Sequence, residues 1–445
     1  MSHEGLPGKD LKTGEQIVLP DNVEVYFCIS GNRERPRGAL CMAQRARMEE
    51  WHKAYPAMRL GLWLYDGFPA EFARNGGFQC VPGYMAHDQA EQFRFFKKMN
   101  AAVGIFNCGL NGEIHQFLSY QLMREPELDA DALLNRYFAQ YGAAAKPLRK
   151  FYDLVEERYC NEKYRPDGVS DRSTKSFWGV RCPVEVMEKL GAWMEEAKAL
   201  AKTDEEKARV KLFEIENWRY MKKGSDEYVK RTSSPTPKWT AKRIADANGD
   251  LDKVDWASLP LQDSPLYERG TDKVVDPKLI AVETRMAYDS THFYLELVQV
   301  RDLKNLHISR KINPYDDWEI LFSCQQAQPY RCYFCDPDNR LLASSWGEVN
   351  WRQGVPSLEA NKHKAYFAEC KSILEQPNRW IERIAFPLDK MLDKPITAGC
   401  SFYMNPVTVL NTNVCPGNGP FRIFSTVSYS TVHTCDRSAL VTLEK

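Results

Sequence analysis

The first 125 residues alternate between short apolar runs and longer segments of helical composition. The apolar runs, rich in β-branched and aromatic residues, lie at Val23–Ile29, Leu60–Tyr65 and Val103–Asn107. The helical segments lie at about 39–55, 88–99 and 113–124. The second of them places Phe93, Phe96 and Met99 on one helix face. A repeat of strand and helix predicts a parallel sheet, and three strands are too few to close a barrel and leave two open edges.

Residues 126–231 carry apolar stripes at helical spacing and predict a helical region. Asp129 or Asp131 is the candidate N-cap of its first helix, and Thr203 opens a capping pattern that Glu206 completes. The predicted buried positions are Leu133, Leu134, Tyr137, Tyr141, Leu148, Tyr152, Val155, Val186, Leu190, Trp193, Ala197, Leu200, Val210, Phe213 and Trp218. Residues 232–238 are rich in proline and hydroxyl side chains, which predicts a linker.

Residues 239–445 contain short strand-like runs separated by polar turns, a pattern typical of an antiparallel β sandwich. A polar turn at Ala247–Asp250 precedes Trp256. The predicted strands are Val282–Asp289, Phe293–Val298, Asp316–Phe322, Arg379–Pro387 and Phe402–Asn405. The chain is therefore expected to be multidomain, with a partial α/β segment, a helical region and an all-β sandwich.

Composition narrows the classes of function. Hydrophobic residues at 43% and charged residues at 27% describe a globular protein, and 445 residues suggest two or three domains. Lysine plus arginine equals aspartate plus glutamate at 60 each, so a nucleic-acid partner is not expected. No apolar run approaches the roughly 20 residues that span a bilayer. The 13 cysteines, including the isolated pair Cys332 and Cys335, do not resemble a disulfide framework or a zinc site.

The amino terminus, Met1–Gly14, is polar and lacks the apolar core of a secretory signal. This polar start is consistent with two interpretations: the protein is cytoplasmic, or the chain lacks its natural start.

The strand order in 239–445 resembles the family-9 carbohydrate-binding modules and their DOMON-like relatives. The resemblance rests on the turn before Trp256, on a strand ending in Tyr288-Asp289, and on the paired acidic step Asp316-Asp317 before a strand. It continues through the strand Arg379–Pro387 and the asparagine strand around Asn405. The resemblance implies a sandwich that binds an oligosaccharide or polysaccharide.

Residues from about Asn22 to Met221 resemble an uncharacterised bacterial family with a glycoside-hydrolase-like barrel, related to α-glucuronidases and family-20 hexosaminidases. The matching segments are Leu60–Asp66, Val103–Asn107, Gln121–Asp129 and Tyr141–Ala145. The resemblance covers only the last part of a TIM barrel (1–125) and the helices after it (126–231). It implies an exported protein whose N-terminus, with the strands that carry the general acid, precedes Met1.

The candidate catalytic carboxylates are Asp66 and Glu113, because barrel active sites lie at the carboxyl ends of strands. Acid and base carboxyls of a glycosidase lie roughly 5–10 Å apart. Trp63, Tyr65 and Asn107 are candidates for stacking on a sugar and for hydrogen bonds to it. The alternatives are a turn residue for Asp66, a helix start for Glu113 and barrel core for Trp63.

In the sandwich, the related modules use two tryptophans to hold a sugar. The first position here is Tyr315 and the second is near His433. Trp346 and Trp351 lie in a polar stretch and are candidate replacements, with packing onto the sandwich as the alternative.

The acidic pair Asp316 and Asp317 suggests a structural calcium ion, the one cofactor that the sequence points to. The alternative is a pair of solvated strand-entry carboxylates.

These features predict a carbohydrate-active protein that acts in glycan or polysaccharide degradation, with hydrolysis by a complete barrel and targeting by the sandwich. A non-catalytic glycan-binding or scaffolding protein is the main alternative. A haem-binding redox protein, known among DOMON relatives, lacks a convincing axial pair.

Overall fold

The computed structural model describes most of the chain. The described residues are 10, 12–15, 17–20, 22–29, 39–65, 73, 78–107, 112–164, 173–269, 271–304, 306, 316–327, 330–346, 363–364, 368–392, 394–411, 421–428 and 437–445. They form two compact units, and the chain passes from the first to the second at Tyr228 and Val229.

The first unit contains a parallel sheet of three strands in the order β1, β2, β3. These are Val25–Ile29, Leu60–Tyr65 and Ala101–Asn107. Leu60, Leu62 and Leu64 alternate along β2 and are all buried in the core of this unit. The intervening Trp63 lies half-buried on the opposite face, as the period of two in a strand requires.

Helices follow the strands and then continue without strands. They are α1 Ala39–Ala54, α2 Ala86–Lys98, α3 Glu113–Arg124, α4 Ala130–Phe138, α5 Ala145–Cys160, α6 Val184–Leu200, α7 Asp204–Phe213 and α8 Arg219–Ser233. Two π-helical segments, Lys175–Arg181 and Glu214–Trp218, interrupt the later part. A 3₁₀ turn at Ala139–Ala144 separates α4 from α5 and contains Gly142 at a positive φ of 55°.

Local sequence chemistry sets the helix starts. Asp129 caps α4, because its side chain accepts a hydrogen bond from the Ala132 amide at 2.8 Å. Thr203 and Glu206 form the predicted capping box at the start of α7. Of the two N-cap candidates, the structure therefore selects Asp129. The predicted stripe is buried at most positions, and only Trp193, Leu200 and Trp218 are partly exposed.

The second unit is built from strands. They are β4 Lys238–Arg243, β5 Tyr267–Glu268, β6 Ala281–Tyr288, β7 His292–Val300, β8 Asp317–Ser323, β9 Tyr330–Cys335, β10 Leu341–Trp346, β11 His363–Lys364, β12 Glu369–Glu375, β13 Arg379–Pro387, β14 Ser401–Asn411, β15 Phe421–Ser425 and β16 Ala439–Leu443. Their main order is β11-β10-β9-β8-β14-β16-β4-β6-β7-β13-β12; in addition, β15 pairs with β14, and β5 pairs with β15.

Strand β4 connects two halves of this sheet. Its first residues pair with β16 and its last residues pair with β6, and both pairings are parallel. The other pairings in the second unit are antiparallel among the described strands. The expectation of an entirely antiparallel sandwich is therefore corrected at β4, which joins two sheets instead of continuing a hairpin.

The two halves pack face to face around aromatic side chains. Phe293 on β7 contacts Phe322 on β8 and Phe402 on β14, with ring centroids 6.2 and 5.3 Å apart. Phe322 also contacts Phe386 on β13 at 5.2 Å. Because β7 and β13 belong to one half and β8 and β14 to the other, these edge-on contacts form the core of a β sandwich.

The coarse architecture is confirmed: a helical region precedes a large, mostly antiparallel β unit in a multidomain chain. The described part of the first unit contains three parallel strands and no closed barrel, so its TIM-barrel origin stays a prediction. No helix within the described ranges is long and apolar enough to cross a membrane.

Cys332 and Cys335 are both buried on β9, and neither forms a disulfide bond. They pack into different hydrophobic clusters on the two sides of the sheet.

Candidate functional site

The pairing of β2 with β3 brings two of the predicted sugar contacts to one edge of the parallel sheet. Tyr65 lies opposite Asn107 at the carboxyl ends of these strands, and Trp63 lies opposite Ile105. Asp66, which directly follows β2, is outside the described residues, as are 108–111 before Glu113. The predicted pair of catalytic carboxylates therefore stays a prediction.

Glu113 is the first residue of α3 and is exposed at the side of a small pocket. Tyr137 donates a hydrogen bond from its hydroxyl to Glu113 Oε2 at 3.3 Å, and the hydroxyls of Tyr137 and Tyr141 are 3.3 Å apart. Burial raises the pKa of both phenols, to about 12 for Tyr141, so both remain protonated and available as donors.

A second carboxylate, Glu216, lines the same pocket from the π-helical segment Glu214–Trp218. Burial, and next the nearby Glu113 carboxylate, raise the pKa of Glu216. The other lining residues are Tyr84, Gly112, Ile114, Tyr137, Tyr141, Phe213 and Asn217. We name this group the two-glutamate pocket.

The wall of the two-glutamate pocket is fixed by stacking and hydrogen bonds. Tyr84 stacks on Tyr152 with ring centroids 4.4 Å apart, and its hydroxyl donates to Asn217 Oδ1 at 2.5 Å. Asn217 in turn donates to the Phe213 carbonyl at 3.3 Å. These contacts connect α5, α7 and the π-helical segment, so the pocket is a packed feature of the helical region.

In the second unit, Asp316 is part of a buried polar network instead of an open carboxylate pair. Its Oδ1 lies 3.0 Å from Arg301 Nη2, and both side chains are almost fully buried. Arg301 also donates to Gln299 Oε1 at 2.9 Å, and Gln299 donates to Thr408 Oγ1 at 2.7 Å. Since Gln299 is on β7 and Thr408 is on β14, the network joins the two halves of the sandwich.

This network leaves Asp316 less available as a calcium ligand than the sequence suggests. Asp316 already has a cationic partner in Arg301, and Asp317 is buried at the first position of β8. Among the described residues, no cluster of three histidine, cysteine or acidic side chains is arranged to hold a metal ion.

Most of the sandwich residues that the sequence predicts to contact a sugar lie outside the described residues. Tyr315, Trp351 and His433 all fall there. Trp346 is the last residue of β10, where its backbone pairs with Tyr330. Asp316 directly follows Tyr315 in the sequence. The Arg301–Asp316 ion pair therefore holds the residue next to this candidate sugar contact.

The turn that opens the sandwich pattern is held by one buried carboxylate. Asp289 Oδ2 accepts from the amides of Ala247 and Asn248 at 2.9 Å each and from the Tyr294 hydroxyl at 2.6 Å. Its Oδ1 accepts from the amides of Thr291 and His292, both at 2.7 Å. Burial opposes ionisation, but these hydrogen bonds lower the pKa of Asp289 below its usual range.

Glu382 on β13 is a fully buried carboxyl group inside the sandwich. Its oxygens accept from Cys370 Sγ at 2.7 Å and from Trp380 Nε1 at 3.2 Å. Burial raises the pKa of Glu382 to about 8. The group is therefore mostly protonated at neutral pH.

Sequence reasoning missed Glu216 and Arg301. Glu216 lies in a charged helical stretch, which is typical of a solvent-exposed face, and nothing in its spacing points to Glu113. Arg301 follows the predicted strand Phe293–Val298, and arginine is mostly exposed unless it is paired.

Comparisons with models of protein families gave no match, and comparisons with curated proteins gave none either. Similar solved structures include a family-9 carbohydrate-binding module from Caldicellulosiruptor kristjanssonii, solved with glucose and with cellotriose. The glucose complex is 9% identical, with a TM-score of 0.32, and covers 46% of this chain and 95% of its own. The cellotriose complex is 11% identical, with a TM-score of 0.31, and covers 46% and 93%. A candidate carbohydrate-binding protein from Bacteroides uniformis is 14% identical, with a TM-score of 0.33, and covers 47% and 100%.

Proposed function

We propose that this chain is a carbohydrate-binding protein and that its second unit binds an oligosaccharide or polysaccharide. The proposal is supported mainly by the order of strands. The segments that carry the sequence resemblance, β6, β7, β8, β13 and β14, fold into one sandwich, and the turn before Trp256 is held by Asp289.

We place the contact with sugar where β8 begins. Tyr315 would supply the aromatic surface, with Trp346, Trp351 and His433 as further contacts. An apolar pyranose face stacks on an aromatic ring while polar groups hold the hydroxyls. The buried Arg301–Asp316 ion pair supports this placement, because it holds the residue that directly follows Tyr315 in the sequence.

The test is glycan-array binding of the full chain, followed by titration with the best ligand. Replacing Tyr315, Trp346 or Trp351 by alanine should weaken binding by about 1–3 kcal/mol, the range for base stacking on aromatic rings. The melting temperature should stay nearly unchanged. Tyr120→Ala, an exposed tyrosine in the first unit, is the control and should bind like the wild type.

Two results contradict this proposal. One is a wild-type array signal no higher than background. The other is a loss of stability instead of affinity in all three variants, which would assign these aromatics to the core.

The finer proposal is glycan or polysaccharide degradation by a protein of the glycoside-hydrolase type, with Asp66 and Glu113 as catalytic carboxylates of a complete barrel. The alternative is a non-catalytic binding or scaffolding protein. Release of reducing sugar from the array ligand, lost in Asp66→Asn and Glu113→Gln but kept in Glu185→Gln, supports hydrolysis. Binding without any release of reducing sugar supports the alternative.

A further inference from the structure

Two cysteines from different halves of the sandwich face the same hydrophobic core. Cys335 is on β9 and is fully buried, and Cys370 is half-buried on β12. Cys335 belongs to the core between the halves, and Cys370 packs against the same core. Neither cysteine forms a disulfide bond.

The aromatic contacts between the halves show which strands face each other. Phe322 on β8 contacts Phe386 on β13, with ring centroids 5.2 Å apart. Toward the start of each strand, Trp318 contacts Trp380 at 6.5 Å. Strands β8 and β13 therefore run in the same direction, and β9, which is antiparallel to β8, runs opposite to β13. Since Phe293 on β7 contacts both β8 and β14, the order β9-β8-β14 faces the order β12-β13-β7.

This arrangement brings Cys335 and Cys370 together. Tyr333 on β9 contacts Phe386 at 4.8 Å, and Cys335 follows two positions later on the same side of β9. Because β9 and β13 run in opposite directions, the same step leads back from Phe386 to Ile384 on β13. Cys370 lies directly opposite Ile384 in the pairing of β12 with β13, and the side chains of such a pair share one face. Cys335 therefore faces Ile384 and Cys370 across the core.

The surroundings of the two thiols keep them protonated at neutral pH. Cys370 Sγ donates a hydrogen bond to Glu382 Oε1 at 2.7 Å. Burial raises the pKa of the Cys335 thiol, and the charges of Glu382 and Cys370 raise it further, as expected for near neighbours. Burial and next Glu382 raise the pKa of the Cys370 thiol. Because thiol exchange needs a thiolate, it is slow here. It starts at Cys370, since β12 is the last strand of the sheet order among the described strands.

We propose that Cys335 and Cys370 form a disulfide bond between the two halves of the sandwich in the presence of a small disulfide such as oxidised glutathione. The Cys370 thiolate attacks one sulfur of the oxidant, whose S–S bond breaks and releases one glutathione thiolate. The Cys335 thiolate then attacks the Cys370 sulfur of the mixed disulfide and releases the second glutathione thiolate. Two electrons pass from the cysteines to the oxidant, and the two cysteine protons pass through solvent to the released glutathione.

The bond constrains the sandwich at its edge. It closes residues 336–369 into a loop and ties the end strand β12 to β9 in the opposite half. A disulfide that closes a loop of this length lowers the entropy of the unfolded chain. The oxidised protein should therefore melt about 5 °C or more above the reduced protein.

The test incubates the folded full chain with oxidised glutathione, blocks the remaining thiols with iodoacetamide and maps disulfides by mass spectrometry after trypsin digestion. We expect the peptide that contains Cys335 to be linked to the peptide that contains Cys370. Cys332→Ala is the matched control, because Cys332 is also buried on β9 but packs on the other side of the sheet. This variant should keep the cross-link, whereas Cys335→Ala and Cys370→Ala should lose it. Dithiothreitol should return the melting temperature of the oxidised wild type to that of the reduced protein.

The proposal is overturned if the folded wild type gives no linked peptide or gives only mixed disulfides with glutathione. A linked peptide that persists in Cys335→Ala also overturns it and assigns the bond to Cys332. Both cysteines lie in one tryptic peptide, between Arg331 and Arg340. If Cys335→Ala does not fold, fragmentation of the linked wild-type peptide decides which of the two cysteines carries the bond. A cross-link that forms only in urea, or equal melting temperatures of the oxidised and reduced proteins, contradicts a bond within the native sandwich.

Discussion

At the scale of single residues, the buried polar groups of the sandwich are the features that composition could not predict. Asp289, Arg301, Asp316 and Glu382 are all almost fully buried, although charged residues are rarely buried unless they are paired. Each of them has partners supplied by other strands or turns. Their burial depends on long-range pairing, which local patterns do not encode.

Glu382 predicts a specific pH dependence. Its folded pKa of about 8 lies above the ordinary value of 4.5, so the folded state favours the protonated carboxyl. The stabilisation is complete below pH 4.5 and is lost as the pH rises toward 8. We expect the free energy of unfolding to fall over this window, by at most about 1.4 kcal/mol per pH unit.

Urea unfolding of the full chain across this window measures the effect. Glu382→Gln, which cannot ionise, should show a flatter pH profile than the wild type. Parallel profiles for the two proteins would mean that Glu382 does not titrate in this range.

At the scale of elements, most strands and helices were predictable where the hydrophobic period was regular. The third helix begins at Glu113 as predicted, and β2 has the predicted bounds Leu60–Tyr65. The parallel strand β4 was missed because three of the six residues of Lys238–Arg243 are basic and because the strand pairs with strands far along the chain. The π-helical segment around Glu216 was missed because it continues the helical period of α7 and α8.

The turn held by Asp289 gives the second prediction. Asp289→Ala removes the acceptor for the amides of Ala247, Asn248, Thr291 and His292, and leaves buried donors without a partner. We expect a loss of about 3 kcal/mol or more in the free energy of unfolding. Asp276→Ala is the control, because the side chain of this exposed turn aspartate accepts only from the Lys278 amide among the described residues, at 2.9 Å. Equal losses in the two variants would contradict the assigned role.

At the scale of the whole molecule, the parallel sheet of the first unit is unusual because it has only three strands. The strands β1 and β3 are its two edges, and parallel sheets are normally covered on both faces. Tyr26 lies across Gly61 and Gly104 on the face opposite Leu62, and it is 42% exposed. A Cβ at either glycine would lie less than 3 Å from the tyrosine ring, so the ring could not keep this position over a larger residue.

The open sheet predicts the behaviour of residues 1–230 expressed alone. Its edges and exposed apolar side chains, among them Val18 at 78% and Tyr26 at 42%, favour self-association. We expect a poorly soluble or molten fragment. Light scattering and a thermal scan test this, and a monodisperse sample with a cooperative, reversible transition would show that the three strands suffice.

The boundary of the second unit gives the last prediction. Residues 236–445 contain all the strands of the sandwich, so this fragment should fold with a circular dichroism spectrum dominated by β structure. It lacks Ser234 and Pro235, whose carbonyls accept from the buried Arg437 guanidinium at 2.8 and 2.9 Å. Because the removal of two acceptors from a buried guanidinium is costly, residues 229–445 should be more stable by about 1–3 kcal/mol. Arg437→Met should reduce this difference. A helical spectrum would refute independent folding, and equal stability of the two fragments would show that water replaces the two carbonyls.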